Sequence, residues 1–345
     1  MHHSDNSRSI MTRRDFIKLT GGIGLSVSAT FLLGGCKQEK KNIVHGTFNP
    51  NWANTALFEL ADEFGWFDEE GIGTRELIVV DQTQIMPGLI GGSLHFAQQD
   101  TDAVASAAEQ GEPIYGIAIY RDGEPWLFGV GPEIASVEDL KGKQLSGGSA
   151  GSRNEANGKK MLRNLGLDPE NDVEWVPVAG GSDARVQAVL EGIIAGTVMF
   201  NRHRDLILDG GGKIIYDDLI EVPAEVICSH GPWLEENEET VVGFLKATTR
   251  ARIFLKDLNN KDEVISIMKK RGYEFPDAFI EQYHYEVADI EDTGTFNPET
   301  MEQLVNESVE YGLIPSYIDW KEFMRMEYLN QAFDELGFDS YKMGL

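Results

Sequence analysis

The architecture of this chain is predicted by residues 43–80, which read IVHGTFNPNWANTALFELADEFGWFDEEGIGTRELIVV. The apolar run 43–48 is typical of a buried strand, and it ends in the turn-forming cluster 49–51. Across 52–64 apolar side chains recur every three or four residues, which predicts a helix that a glycine then stops. A second strand follows at 76–80. A strand, a helix and a strand in this order form the repeating unit of parallel sheets, so we predict an α/β protein.

The alternation continues and then starts again further along the chain. Apolar runs predict a third strand at 94–97, four more between residues 126 and 200, and a strand-like segment at 226–228. From residue 235 onward the apolar spacing is mainly that of helices. Two α/β units followed by a helical tail predict two lobes that face each other across a cleft, with ligands at the carboxyl ends of the strands.

Charge and composition exclude several classes of protein. The 345 residues include 30 Lys and Arg against 57 Asp and Glu, a net charge of −27, which argues against a nucleic-acid partner because phosphate binding needs clustered cations. Two cysteines cannot build a disulfide framework or a cysteine-based zinc site. The seven histidines follow no metal-binding spacing, and the sequence holds neither a P-loop nor a nucleophile elbow. We therefore expect no metal, no cofactor and no catalytic residue.

The N-terminal segment has the features of an export signal. Arg13 and Arg14 precede an apolar stretch that is rich in glycine and poor in charge. The arginine pair resembles a twin-arginine signal, and the run LLGGC that ends at Cys36 resembles a lipobox, in which the cysteine receives a lipid. We expect 1–35 to be removed as a signal peptide, Cys36 to anchor the protein to the bilayer in the periplasm or at the cell exterior, and 36–42 to be a tether. An uncleaved anchor helix is the alternative.

Several segments beyond the signal resemble one known family. Residues 61–72, ADEFGWFDEEGI, resemble the G-[YW]-F-x-E-E-G-[IL] segment of periplasmic binding proteins for nitrate, sulfonates, taurine and thiamine precursors. The match continues in order through GLIGG at 88–92, GEPI at 111–114, VEDLKGK at 137–143 and LGLDP at 165–169. The resemblance covers roughly residues 43–330.

The resemblance implies a type 2 periplasmic-binding fold, an α/β architecture of two lobes joined by two crossovers, with a helical C-terminal tail. Lobe 1 would comprise 43–119 and 225–345, and lobe 2 would be inserted as 120–224. Such proteins close like a hinge on a small solute and deliver it to the membrane subunits of an ABC permease. A lipid anchor would keep the binder near its permease, and we expect a monomer. Family strands often carry an Asp where this chain has His95 and Ala195.

Four loops are expected to converge on the cleft, and the first is 47–52. Its aromatic residues Phe48 and Trp52 would enclose a ligand, with a position in the core as the alternative. Asn49 and Asn51 are either turn residues or hydrogen-bond partners of the ligand.

The second loop is the polar run Gln98, Gln99 and Asp100, which directly follows a buried strand. Loops placed there often carry function. We therefore expect all three side chains to contact the ligand.

The third loop, 146–153, is the strongest candidate. It reads SGGSAGSR between a strand and a helix, where glycines permit close backbone approach and helix N–H groups attract an anion. The pattern suits an oxygen of a carboxylate, sulfonate, phosphate or nitrate, with a plain strand-to-helix turn as the alternative. The ligand-binding residues expected here are Ser149, Gly151, Ser152 and Arg153.

The remaining candidates lie in lobe 2 and at the returning crossover. Ser182 and Arg185 belong to the fourth loop, 179–185, and Arg185 either reaches the cleft or lies on a solvated helix face. Asn201 follows the last strand of lobe 2 and is expected to point inward. Glu225 would pair with a cationic or pyrimidine ligand.

These residues favour a lipid-anchored solute-binding protein of an ABC importer for a small anionic organic solute, because the loop 149–153 and Arg185 share one lobe. The rival ligand is a thiamine pyrimidine precursor or another aromatic heterocycle, which Phe48, Trp52 and Glu225 would suit. An enzyme of thiamine-pyrimidine synthesis is the alternative from a different class, but this chain lacks the cysteine-rich motif of such relatives. A ligand-sensing subunit would show the same sequence features as a transport protein.

Overall fold

The computed structural model describes residues 40–48, 51–124, 126–150, 152–178, 181–218, 220–275, 280, 283–288 and 290–343. The export signal and Cys36 lie outside the described residues, as do the candidate site residues Asn49 and Gly151. All described strands and helices belong to one compact unit, Lys41–Leu345. Among the described residues no helix is both long enough and apolar enough to cross a bilayer.

Strands and helices alternate along most of the described chain. The described strands are β1 (Lys41–Thr47), β2 (Ile72–Val79), β3 (Phe96–Asp100), β4 (Ile114–Glu124), β5 (Trp126–Val130), β6 (Gln144–Ser146), β7 (Glu174–Trp175), β8 (Gly196–Phe200), β9 (Lys213–Tyr216) and β10 (Ile220–His230). The described helices are α1 (Trp52–Glu63), α2 (Trp66–Glu69), α3 (Gln82–Ile90), α4 (Thr101–Glu109), α5 (Arg153–Asn164), α6 (Gly181–Leu190), α7 (Arg204–Asp209), α8 (Gly231–Glu236), α9 (Glu238–Lys256), α10 (Lys261–Lys270), α11 (Tyr283–Glu286), α12 (Pro298–Glu310), α13 (Trp320–Phe323) and α14 (Glu327–Leu336). Short 3-10 helices occur at Val137–Leu140, Asn201–His203, Leu258–Asn260 and Asp339–Tyr341.

The described strands form two sheets of five strands each. The first sheet has the order β2-β1-β3-β10-β4, with β1 parallel to its neighbours and β10 antiparallel to its own. The second has the order β7-β6-β8-β5-β9, with β6 parallel to its neighbours and β5 antiparallel to its own. The chain leaves the first sheet after β4 and returns to it in β10, so the second sheet is inserted. This confirms the two-lobed fold predicted from the sequence, and we use lobe 1 and lobe 2 for the first and second sheets with the helices packed on them.

Each lobe has an apolar core of its own. In lobe 1 the rings of Phe96 and Phe244 stack with their centroids 4.0 Å apart, and Phe67 stacks on Phe244 at 5.8 Å. Lobe 2 is filled by a separate cluster of buried side chains, which includes Leu127, Val186, Val189, Ile194, Met199 and Ile207. Because lobe 2 is filled by its own cluster, we expect each lobe to move as a body while the strands between them bend.

The two long strands β4 and β10 carry the chain between the lobes. They pair with each other, but the register shifts between Glu221 and Glu225 of β10. There three residues of β10, 222–224, lie opposite the single residue Asp122 of β4. The bulged stretch includes Pro223, which has no N–H to donate to a neighbouring strand. A bulge bends and weakens a ladder, so we expect lobe rotation to occur at this point.

The polar run Gln98, Gln99 and Asp100 is not the loop predicted from the sequence. It forms the last three residues of β3 and pairs with β10 in antiparallel register. The second strand likewise begins at Ile72 and not at residue 76. In both cases polar side chains occupy positions whose backbone is held by a neighbouring strand, and apolar periodicity does not reveal such a position.

Candidate functional site

The candidate site lies at the edge of the first sheet where β1 and β3 end. Thr47 is the last residue of β1, and the helix α1 begins shortly after it at Trp52. Asp100 is the last residue of β3, and α4 begins at the next residue, Thr101. The returning strand β10 passes the same edge, because Glu225 pairs with Asp100. Ligands of α/β proteins bind at such edges, close to the first turns of the helices that follow the strands.

Gln98 brings a hydrogen-bond donor to this edge. Its side chain is fully buried, and its Oε1 accepts a hydrogen bond from Thr47 Oγ1 at 2.9 Å. The amide Nε2, which can only donate, has no hydrogen-bond partner among the described residues. A buried donor without a partner costs about 1–3 kcal/mol, so Nε2 is a group that a ligand would satisfy.

Asn54, in the first turn of α1, offers a second donor of the same kind. Its Oδ1 accepts a hydrogen bond from Arg121 Nη2, which makes Nδ2 the donor atom. Nδ2 is buried and has no hydrogen-bond partner in the described part of the chain. Asn51, which the sequence offers as a turn residue or a ligand contact, is exposed and caps α1 by accepting from Asn54 N at 2.9 Å. The sequence analysis does not single out Asn54, although an Asn at a buried helical position is a detectable signal.

Two more buried polar atoms belong to the first residues of the helices. Thr101 Oγ1 in α4 and Trp52 Nε1 in α1 lack hydrogen-bond partners within the described ranges. The ring of Trp52 lies 4.9 Å from that of Phe275 and stacks on Tyr283 at 5.4 Å. Trp52 therefore fills a core position against the helical tail, as the alternative reading of the first loop has it. Phe48 is half-buried.

An arginine that the sequence analysis overlooks joins the two crossover strands. Arg121 of β4 places Nε 3.7 Å from Glu225 Oε2 of β10, and the side chains are 12% and 17% exposed. The guanidinium also donates to Asn54 of lobe 1. Arg121 therefore connects lobe 1 with the crossover strands β4 and β10. In the sequence, Arg121 could have been noticed as a single cation that directly follows the apolar run of β4. Glu225, expected to pair with a cationic ligand, is thus neutralised in part by a cation of the protein itself.

The other two members of the polar run are tied together by a glutamine from α3. Gln82 Nε2 donates to Gln99 Oε1 at 3.0 Å and to Asp100 Oδ2 at 2.8 Å. Gln99 Oε1 also accepts a hydrogen bond from Asp100 N at 2.8 Å. Of the three polar residues at the end of β3, Gln98 is therefore the one that brings a buried donor without a described partner to the site.

In lobe 2 the glycine-rich loop lies where the sequence predicts it, between β6 and α5. Ser146 Oγ accepts from Gly148 N at 3.1 Å, and Ser152 caps the helix by accepting from Glu155 N at 3.3 Å. A side-chain carbon on Gly147 would come within 2.3 Å of Glu155 Cα, so only glycine fits there. Ser149 at the loop tip is exposed. The side chain of Arg153 lies outside the described part.

Arg185 lies beneath this loop and not on a solvated helix face. It is 3% exposed, and it donates from Nε to Thr197 Oγ1 at 3.1 Å and from Nη2 to Val198 O at 3.0 Å. A side-chain carbon on Gly148 would lie 3.2 Å from its Nη1. Burial lowers the pKa of the guanidinium, and the nearby carboxylate of Asp183 opposes that effect. An arginine keeps its proton even so, which places a positive charge under the glycine-rich loop.

Two further candidates belong to lobe 2: Asn201 directly follows β8, and Ser182 lies in the first turn of α6. Asn201 is half-buried, and its Oδ1 accepts a hydrogen bond from Arg204 Nε at 2.9 Å. Ser182 is buried in the first turn of α6. Both take part in local structure, and their contact with a ligand stays a prediction.

Neither a metal ion nor a cysteine nucleophile is supported by the described residues. Cys228 is buried in β10, where burial raises the pKa of its thiol to about 12, so it is not a nucleophile. In the described ranges no group of three His, Cys, Asp or Glu side chains is placed to hold a metal ion.

His95, where the resembled family often has an Asp, bonds to the backbone of β1. Its Nδ1 accepts a hydrogen bond from Val44 N at 3.0 Å, and its ring stacks on Trp233 at 4.9 Å. This bond therefore ties β1 to the residue just before β3.

Known proteins match this chain in sequence and in fold. A family model described as "NMT1/THI5 like" matches residues 52–258. YtlA of Bacillus subtilis, which is named as a binding protein, is 22% identical over 328 residues that cover 90% of this chain and 96% of YtlA. The aliphatic sulphonate-binding protein SsuA of Escherichia coli aligns with a TM-score of 0.64 at 17% identity, covering 85% of this chain and 99% of SsuA. The nitrate-binding protein NrtA of Synechocystis PCC 6803 aligns with a TM-score of 0.59 at 15% identity, covering 89% of this chain and 91% of NrtA. These matches confirm the periplasmic-binding-protein fold and the family resemblance predicted from the sequence.

Proposed function

The chain belongs to the NMT1/THI5-like family, and on that premise we propose that it is the solute-binding component of an ABC importer for a small anionic organic solute. The observation that carries the proposal is the set of donors at the edge of the first sheet. Gln98 Nε2 and Asn54 Nδ2 are buried and lack partners among the described residues, while the oxygens of the same two amides accept from Thr47 and Arg121. Donor atoms of this kind match the oxygens of a sulfonate, carboxylate or nitrate group.

Lobe 2 supports the same ligand class. The glycine-rich loop ends at a capped helix start, and the buried charge of Arg185 lies under it. Helix N–H groups and a nearby cation both favour a bound anion. The relatives SsuA and NrtA are named for sulphonate and nitrate binding, which agrees with this chemistry.

The proposal is tested by finding the ligand and then removing one donor. Native mass spectrometry of the mature protein and a thermal-shift panel of sulfonates, nitrate, carboxylates and thiamine precursors identify the solute, since a ligand at 100 times its Kd adds about 2.7 kcal/mol. Gln98→Leu is then expected to weaken binding of that solute about tenfold. Gln187→Leu, an exposed glutamine on α6, is the control. Unchanged affinity in Gln98→Leu, or stabilisation by no member of the panel, contradicts the proposal.

A thiamine pyrimidine precursor or another aromatic heterocycle is the second candidate, favoured by the half-buried carboxylate of Glu225. Arg121 beside it and the core position of Trp52 weaken this alternative. A precursor that stabilises the protein in the panel, with Glu225→Gln abolishing the shift, would establish it.

Lipid anchoring and export rest on the sequence of the first 36 residues. We propose that a twin-arginine signal exports the protein and that a lipid on Cys36 holds it to the membrane in the periplasm or at the cell exterior, as a monomer that serves an ABC permease. The lobe limits 43–119, 120–224 and 225–345 belong to the same proposal. Mass spectrometry of the membrane fraction is expected to show a lipidated Cys36 as the first residue, and Cys36→Ser is expected to release the protein.

We propose no catalytic role, because the relatives named above are binding proteins. A sensing role would use the same site. Loss of solute uptake on deletion of the protein supports transport, whereas intact uptake with a lost response to the solute supports sensing.

A further inference from the structure

Helices α5 and α12 contact each other across the two lobes. α5 packs on β5 and β8 of lobe 2, whereas α12 packs on β10 and α4 of lobe 1. Lys160 Nζ of α5 lies 3.3 Å from Glu307 Oε1 of α12. One turn further along, Arg163 Nη1 donates to the hydroxyl of Tyr311, directly after α12, at 3.4 Å. These contacts join a helix that packs on lobe 2 to a helix that packs on lobe 1.

The charges of the two helices are complementary. α5 carries four basic residues and one acidic residue, and α12 carries four acidic residues and no basic one. Lys159 does not take part in the contact, because it pairs with Glu155 at 3.1 Å and with Glu170 at 3.2 Å, both in lobe 2. Among the described side chains of this helix, Lys160 and Arg163 are therefore the cations that reach lobe 1.

The contact lies beside the bulge in the crossover strands. A crevice separates the helices, and its walls include Asn157 and Lys160 of α5, Glu307 and Ser308 of α12, and Val222 of the bulge. The walls also include the apolar side chains of Ala156, Leu304 and Leu313, and the space left between the walls shows that these side chains do not close the contact. The ion pair and the hydrogen bond to Tyr311 bridge the helices across this space. A rotation about the bulge must move α5 against α12.

We propose that the Lys160–Glu307 and Arg163–Tyr311 contacts form an interlobe latch, which holds the lobes in the arrangement described and couples it to solute binding. The coupling runs through α5, because the glycine-rich loop leads directly into the first turn of this helix. A solute bound at the glycine-rich loop would contact one end of α5, and the latch contacts the same helix through Lys160. Both therefore act on one helix of twelve residues. The coupling rests on the proposed function, whereas the latch itself does not.

The latch is tested in the solute-free protein by measuring the distance between the lobes. Two exposed residues are replaced by cysteine, Gln187→Cys in lobe 2 and Glu302→Cys in lobe 1. Each cysteine carries a spin label for pulsed electron–electron double resonance. Cys36 is replaced by serine, and the native Cys228 is buried with a raised thiol pKa, so neither position carries a label. The readout is the distribution of distances between the two labels.

The variant Lys160→Met/Arg163→Met removes both latch contacts and keeps the length of the side chains. The variant is expected to lower the population of the described lobe arrangement, relative to the other arrangements, about threefold. The change is small because partly exposed ion pairs contribute little to stability individually. In the protein that retains Lys160 and Arg163, raising the salt concentration to about 0.5 M is expected to act in the same direction. Lys159→Met is the matched control, since it removes the neighbouring charge without touching lobe 1. The charge swap Lys160→Glu/Glu307→Lys is expected to restore the original distribution.

An unchanged distance distribution in the double variant overturns the latch, and so does an equal change in Lys159→Met. Melting temperatures of all variants establish that each is folded. If the distances change but no solute binds, the latch stands and the proposed function fails. If a solute is found, its Kd is expected to shift about threefold in the double variant and to stay unchanged in Lys159→Met.

Discussion

Thr47 Oγ1 donates a hydrogen bond to Gln98 Oε1 at 2.9 Å, across the ends of the two adjacent parallel strands β1 and β3. Thr47 holds the amide oxygen of Gln98, and the amide Nε2 is left as a buried donor without a partner among the described residues. Thr47 lies in the strand next to the one that carries the amide.

Thr47→Val is expected to weaken binding of the solute because the Gln98 amide is then free to turn. The affinity should fall about three- to tenfold, as measured by isothermal titration calorimetry, and stability should fall by about 1–3 kcal/mol because the buried Gln98 Oε1 loses its donor. Thr300→Val, which removes a hydroxyl at the start of α12, serves as the control. Equal affinities in the Thr47 variant and the unaltered protein would show that this bond does not orient the site.

Thr101→Val is expected to raise stability and lower affinity together. The hydroxyl of Thr101 is fully buried without a described partner, so replacing it with a methyl group of similar size removes a desolvation cost of about 1 kcal/mol. Denaturant unfolding of the solute-free protein measures the gain, and titration with the solute measures the loss. A variant that loses stability instead would indicate that the hydroxyl makes a bond in the folded protein.

Gly147→Ala is expected to disrupt the glycine-rich loop. The added carbon would come within 2.3 Å of Glu155 Cα, and a helix backbone cannot yield as a flexible side chain would. We expect a loss of about 2 kcal/mol or more in the free energy of unfolding, together with loss of binding. Gly192→Asn is the control, because Gly192 has open space around it and a φ of +70° that Asn tolerates. A Gly147 variant that binds and unfolds normally would contradict the packing of this loop.

Asp122 is expected to make the protein less stable as pH rises. Burial and the nearby Glu291 raise the pKa of its carboxyl to about 7, against the opposing charge of Lys256. Between about pH 4 and 7 the unfolded chain loses this proton while the folded protein keeps it, so its contribution to stability falls by up to about 1.4 kcal/mol per pH unit. Asp122→Asn should therefore be more stable than the unaltered protein at pH 8 and equal to it near pH 4. Chemical denaturation at both values of pH is the measurement.

His45 is expected to act in the opposite direction over the same range. Its ring lies in the core between Phe58 and Phe244, where burial lowers its pKa to about 3. Between about pH 6.5 and 3 the imidazole of His45 is protonated in the unfolded chain but stays neutral in the folded protein. The free energy of unfolding therefore falls as the pH falls. His45→Leu should remove this loss in denaturation curves at pH 4.5 while changing little at pH 7.5. An unchanged slope of stability against pH would mean that His45 is not the group responsible.

Local features of the fold were readable from single segments. The loop 146–153 was predicted because Gly147 and Gly148 follow a strand and Ser152 stands before a helix, and each of these preferences acts within a few residues. The run Gln98 to Asp100 was misread because its strand pairing depends on β10, which no local pattern announces. Arg185 was placed near the loop, but its burial beneath Gly148 depends on how α6 packs on β8.

The amino-acid sequence by itself determined the family, the alternation of strands and helices, and the position of the glycine-rich loop, because periodicity, glycine and helix caps act over short distances. Tertiary structure alone decided that Arg121 meets Asn54 and Glu225, and that Lys160 meets Glu307. These partners are brought together by sheet order and by the insertion of one lobe into the other. A contact between side chains 147 residues apart follows from packing, and packing is a property of the whole chain.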